Sequence, residues 1–171
     1  MPLTPFHFGL GAALHGALPQ RVGFVAFCGA NVLIDVETLY HLIHGGWPIH
    51  ALFHSYLGAT LVALATSAML LAYAWLTRPY QHAIEQLLGP RSTRKTLAGA
   101  FLGAYSHVAL DSIMHDDIRP LAPFSDANDL LDLIPLLDLH FLLVALGLMG
   151  LIVTGLRRLH AEQDRDLRES R

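Results

Sequence analysis

Long apolar stretches separated by short polar ones set the pattern of this chain. Four runs, about 22–43, 55–77, 97–114 and 137–156, are each long enough to cross a bilayer as a helix, since roughly 20 apolar residues span the hydrocarbon core. A shorter apolar segment, about 5–18, precedes them. Thr4 followed by Pro5 suits an N-cap and first helical position, and Pro19 breaks the pattern, which predicts a short or re-entrant helix there. The expected fold is all-α: a polytopic membrane helical bundle of about four spanning helices plus a short N-terminal helix. Between the second and third spans, "HAIEQLLGPRSTRK" reads as a short interfacial turn of helix followed by a basic loop.

Composition agrees with this reading. Of 171 residues, 53% are hydrophobic and only 15% charged, with a mean hydropathy of +0.44; a soluble domain of this length would carry more charge. The single cysteine, Cys28, excludes an internal disulfide framework and any CxxC motif, and is expected to be a packing residue. The N-terminus, "MPLTPFHFGL", has no basic n-region, so the membrane segments themselves are expected to carry the targeting signal.

The charges are segregated. Arg78, Arg91, Arg94 and Lys95 lie between the second and third spans, Arg157, Arg158, Arg165, Arg168 and Arg171 follow the last, and Arg21 precedes the first. The positive-inside rule then places the 78–96 loop and the C-terminus on the cytoplasmic side. The chain divides into a membrane-embedded domain, 1–157, and a charged cytoplasmic tail, 158–171. Asp35, Glu37, Asp111, Asp116, Asp117 and most histidines fall towards the opposite, outer end. Counted from the cytoplasmic ends at a helical rise, Asp35 lies ~20 Å up, His107 ~15 Å and Asp111 ~21 Å, so they share one layer.

That layer carries the candidate chemistry. In "GAYSHVALDSIMHDD", His107 and Asp111 are four residues apart and project from one helix face. The pair suits two ligands of one divalent metal, or a neutral histidine hydrogen-bonded to a helper carboxylate. "HALFHS" adds His50 and His54, again four apart, and "NVLIDVETLYH" adds Asp35. Glu37 lies about 200° around the helix from Asp35, so one of the two ligates while the other acts as base or supports a ligand. Glu37 and His41 share a face and form a second possible half-site. His7 follows the Thr-Pro start, while His15, two turns deeper, is expected to be a packing or hydrogen-bonded residue; His115 and the two aspartates after it would line the outer mouth. Buried imidazoles and carboxylates need partners, and no buried cation is available from the sequence. A metal held by His7, Asp35, His50, His54, His107 and Asp111 satisfies them together. Nitrogen and oxygen ligands suit zinc, iron or manganese; zinc with an open position makes a hydrolase, with Glu37 as general base.

With these residues in order, the chain resembles the family of inner-membrane, metal-dependent hydrolases of the LexA-regulated type. The resemblance rests on His7, the D-x-[DE] of Asp35 and Glu37, the histidine pair ending in His-Ser (His50, His54, Ser55), the H-x-x-x-D of His107 and Asp111, and the Pro-Phe element at Pro123 and Phe124. Its ligand pattern is similar to that of zinc-dependent phospholipase C and S1/P1 nuclease, which implies zinc and phosphoester hydrolysis. Where the family shows H-R-G-x-T-H-S this chain has "HALFHS", without the arginine; Arg119 in "HDDIRP" is the candidate to supply the anion contact. The expectation is a hydrolase with catalytic Glu37 and Arg119, acting on a lipid or lipid-linked phosphoester or ester, with the bilayer and no nucleic acid as partner. The alternatives are a metal-ion transporter or sensor, and a membrane di-iron oxygenase.

Overall fold

The computed structural model describes residues 4–80 and 92–169. The chain is 74% helical, with no strand among the described residues. Five α-helices follow in order: α1 (His7–Ala17), α2 (Phe24–His44), α3 (Tyr56–Leu76), α4 (Thr93–Met114) and α5 (Leu136–Glu169). The last four are long and apolar enough to cross a membrane, so the all-α, four-span expectation holds. The interfacial turn expected over 82–95 lies mostly outside the described residues; α4 already begins at Thr93.

Two boundaries differ from the sequence reading. Thr4–Phe6 forms a 3-10 turn and α1 starts only at His7, without a side-chain cap; the fixed φ of Pro5 serves a 3-10 turn as well as an α-helical first turn. α5 runs unbroken from the last apolar run through the charged tail to Glu169, 34 residues in all. At a helical rise that is ~51 Å, well beyond the ~30 Å of a hydrocarbon core. Residues with high helix propensity (Arg, Leu, Glu, Gln, Ala) fill the tail and let the helix continue.

The core is made of small side chains. Ala26, Ala30 and Ile34 of α2, Ala59, Val62 and Ala63 of α3, and Ala100, Ala104 and Val108 of α4 form one buried cluster. α4 packs against both α2 and α3, while α1 packs chiefly on α5 and also touches α2. Within a bilayer no hydrophobic effect pulls helices together, so close backbone approach must do so. Gly99 and Gly103 of α4 supply it: a Cβ at Gly99 would meet the carbonyl of Gly23, and one at Gly103 the carbonyl of Phe27. The small-xxx-small spacing of "GAFLG" is therefore the α2–α4 seam. A matching seam joins α1 to α5, where Gly9 faces the carbonyl of Leu143 and Gly150 faces Ala12.

Turn chemistry ends the helices where the site needs them to end. Gly45, at φ +70°, closes α2 in the left-handed conformation, and the Gly46 amide donates to His41 (2.8 Å). Ser55 caps α3, its hydroxyl accepting from the Gly58 amide at 3.0 Å.

Gly99→Leu should lower the thermal midpoint in detergent, by the equivalent of about 1–3 kcal/mol, because it forces α2 and α4 apart. Gly155→Ala, where nothing lies within 4 Å, should leave the midpoint level or slightly raised. Circular-dichroism melts of the two variants beside the wild type check this; equal midpoints would remove the seam's role.

Candidate metal centre

The bundle brings one layer of polar side chains together from the middle of α2, the C-terminal half of α4 and the N-terminal starts of α1 and α3. On α2, Asn31 and Asp35 stand one turn apart on the face that meets α4. His107 of α4 inserts between them and is fully buried. Its Nδ1 lies 3.0 Å from the Asn31 side-chain oxygen. The amide nitrogen of Asn31 donates to the Phe27 carbonyl at 2.8 Å, which fixes the oxygen as the acceptor. His107 therefore carries a proton on Nδ1, and in the neutral ring the Nε2 lone pair is left to ligate.

That lone pair points into a nest of acceptors. His107 Nε2 is 3.3 Å from Asp35 Oδ1 and 3.1 Å from Asp111 Oδ2. His54 Nε2 is 3.7 Å from the same Asp35 oxygen and 3.6 Å from the same Asp111 oxygen. All four residues offer one ligand atom within 4.8 Å of one another. A tetrahedral ion with bonds of ~2.0–2.1 Å has ligand–ligand edges of ~3.4 Å. The four measured edges bracket that value.

His7 joins at the other carboxylate oxygen. Its Nε2 is 3.0 Å from Asp111 Oδ1, and its ring stacks on that of His107 at 4.4 Å. His50 reaches the flank of the cluster with a residue the sequence reading placed only at the mouth: His50, Asp111 and His115 also bring ligand atoms within 4.8 Å.

The burial of these groups tests the fit to a metal. His7, His54 and His107 are each at most 1% exposed, and Asp111 is 4% exposed. Both ring nitrogens of His7, both of His54, Nε2 of His107 and Oδ1 of Asp111 are buried without a hydrogen-bond partner. A buried polar atom left unpaired costs about 1–3 kcal/mol. One nitrogen each of His54 and His107 and the carboxylates of Asp35 and Asp111 face the same point, where a cation would satisfy them together. Asp35 is the only one of the four with an appreciably open side chain, 29% exposed, so access runs along its side. The imidazole and carboxylate set fits a divalent metal without selecting among zinc, iron and manganese.

Supporting contacts hold the ligands. Both oxygens of Glu37 accept backbone amides, Leu52 at 3.0 Å and Phe53 at 2.7 Å, in the turn that presents His54. Its Oε2 is also 3.8 Å from His54 Nδ1, beyond hydrogen-bond reach. Asp117 does the same for His50: one oxygen accepts from the ring Nδ1 at 2.8 Å, the other from the amides of Ile49 (3.0 Å) and His50 (3.1 Å). Burial pushes the Asp117 carboxyl up, but the ring and amide hydrogen bonds outweigh it and hold the group below its ordinary value. Burial moves the imidazolium of His115 the other way, below its ordinary value and towards the neutral form.

Of the sequence-derived ligands, His7, Asp35, His54, His107 and Asp111 converge, and His50 sits beside them. Glu37 is placed beneath His54 rather than in the cluster. Arg119 is on the exposed surface, 3.1 Å from the still more exposed Asp126. The Glu37–His41 half-site does not form, since His41 Nδ1 is 2.9 Å from the Pro48 carbonyl. His15 hydrogen-bonds the Val22 carbonyl at 2.8 Å, as expected of a structural histidine. Asn31, His115 and Asp117 are the additions; a polar amide one turn from Asp35 was the available signal for the first.

Comparison of the chain with family models, with curated proteins and with solved structures finds no match. The site's chemistry therefore rests on its own geometry.

Asn31→Ala should weaken metal binding about 10–100-fold, the usual effect of removing the partner that orients a ligating histidine. Metal retained against a graded chelator series reads this directly. Unchanged retention would mean that His107 is not held as a ligand.

Proposed function

We propose that the protein is a membrane-embedded, metal-dependent hydrolase acting on a lipid or lipid-linked phosphoester or ester. One observation carries the reading: ligand atoms of the buried His54, His107 and Asp111 and of Asp35 lie within 4.8 Å of one another, with a partly open side at Asp35. Zinc is the first choice of ion, since bound zinc supplies a water acidified to a pKa of about 7 and polarises an ester oxygen. His54, His107, Asp35 and Asp111 bind the ion. Asn31 fixes the tautomer of His107, and Glu37 fixes the turn that carries His54. Asp35 marks where water and the scissile group enter.

Location supports a lipid. Asp111 lies three residues and His107 seven before the end of α4, so the cluster sits one to two turns inside that end, within reach of an ester that stays in the bilayer. A cavity of about 370 Å³ lies between α1 and α5, lined by Phe6, Phe8, Gly9, Leu143, Gly147 and Leu151. Its walls are apolar and follow both helices, which suits an acyl chain. Arg78, just past the end of α3, and Arg94 and Lys95, in the first turn of α4, are at the other end of the bundle. By the positive-inside rule the centre then faces the outer side and the C-terminus the cytoplasm of the inner membrane. Transport finds less support, because His15, the one histidine of α1 beyond His7, is taken up by a backbone carbonyl and offers no onward relay.

The test is elemental analysis of detergent-purified protein, made without chelators, beside a His107→Ala/Asp111→Ala variant, followed by hydrolysis assays on phospholipids and isoprenoid-linked phosphates in mixed micelles. Zinc bound stoichiometrically by the wild type and lost from the variant, with hydrolysis falling at least ~100-fold, is the expected result. Metal-free wild-type protein overturns the reading. Iron turns it towards an oxygenase, and bound zinc without turnover of any lipid ester towards a sensor or carrier.

A further inference from the structure

The centre formed by Asp35, His54, His107 and one oxygen of Asp111 leaves a second set of groups on its flank. His50 and His115 lie with their rings tilted by 31° and centroids 4.3 Å apart, and His50 meets His54 edge-on at 4.7 Å. Both rings bring a ligand atom within 4.8 Å of Asp111 and of each other.

Three features show that these rings are held as ligands are held. First, His50 has its far nitrogen engaged. Asp117 uses one oxygen for two backbone amides and accepts the His50 Nδ1 proton on the other. The Nε2 lone pair is thereby left for use, as it is in His107. Second, His115 is fixed by its backbone: its amide donates to the Asp111 carbonyl at 2.9 Å, and the Asn128 side chain donates to its carbonyl at 3.3 Å. Third, Asp111 is divided between the two sides. Its Oδ2 faces His54 and His107, whereas Oδ1 is buried without a hydrogen bond, 3.0 Å from His7 Nε2.

We infer that His50, His115 and Asp111 form a second divalent-cation subsite, with the Asp111 carboxylate bridging two cations. This inference rests on the centre proposed above, because Asp111 is common to both. It also narrows the substrate. Two cations a few ångströms apart clamp the attacking and leaving oxygens of an in-line displacement at phosphorus, so the pair favours a phosphoester over a carboxylic ester. Asp117 is a positioning residue here, acting through His50.

The experiment is a cation count per chain on the full-length protein in detergent, with Mn2+ and Zn2+ as probes, for the wild type, His115→Ala and Asp117→Asn. The wild type should bind two cations, and its Mn2+ form should give the exchange-coupled paramagnetic resonance spectrum of a close pair. His115→Ala should bind one and lose the coupling. Asp117→Asn keeps all three ligands, so it should retain both cations while the weaker binds about 10–100-fold less tightly; it covers the case in which His115→Ala does not fold. A wild type that binds one cation, uncoupled and unchanged by either substitution, overturns the second subsite and leaves the first centre standing. A wild type that binds none overturns both.

Discussion

Desolvation governs this molecule. Imidazoles and carboxylates are placed where water does not reach, and each must be answered by another group. Asn31 answers one nitrogen of His107, Asp117 one of His50, and the amides of Leu52 and Phe53 the oxygens of Glu37. What these partners leave unanswered is not scattered. It gathers around Asp111, the residue shared by both ligand groups. A structure selected only for stability would replace such residues by apolar ones, since buried ionic groups rarely improve on good packing. Their presence in an apolar chain is what a cation at this point would offset.

The glycine and alanine seams follow from the same demand. His107 reaches Asn31 and Asp35 only because α2 and α4 approach closely, and they do so because Gly99 and Gly103 present no side chain to the α2 backbone. The α1–α5 seam has the same role for His7, which α1 carries to Asp111 from the other side. Packing and chemistry are thus linked along α4: Gly99, Gly103, His107 and Asp111 are spaced four apart and fall on one face. The first two set the distance to α2 and the last two use it.

Much of this was legible in the sequence, for identifiable reasons. Apolar run length marks helices of spanning size whatever their packing, and the i, i+4 spacing of His107 and Asp111 places both on one face without knowledge of the neighbours. Depth counting brought Asp35 to the same layer. The residues that hold the ligands were harder to see. Asn31 is uncharged and sits in an apolar run like any tolerated amide. Asp117 and His115 lie past the end of α4, where the chain folds back, with the Asp132 amide donating to the Ile113 carbonyl at 3.0 Å. No periodicity reports such a return. Arg119 shows the same gap from the other direction: two residues after Asp117 in sequence, it pairs outward with Asp126.

Glu37 illustrates how role follows from partner rather than from residue type. Its charge and its position near Asp35 suit a general base, but a base must be free to take a proton from the reacting water. Both oxygens of Glu37 already accept amides of the turn that ends in His54. Protonating Glu37 would weaken those contacts and loosen the histidine that the chemistry needs in place. Asp35 differs: it touches both cluster histidines and is partly open. Of the two acids on α2, the one facing α4 lies against His54 and His107, and the one turned away from it holds the turn that carries His54 into α3.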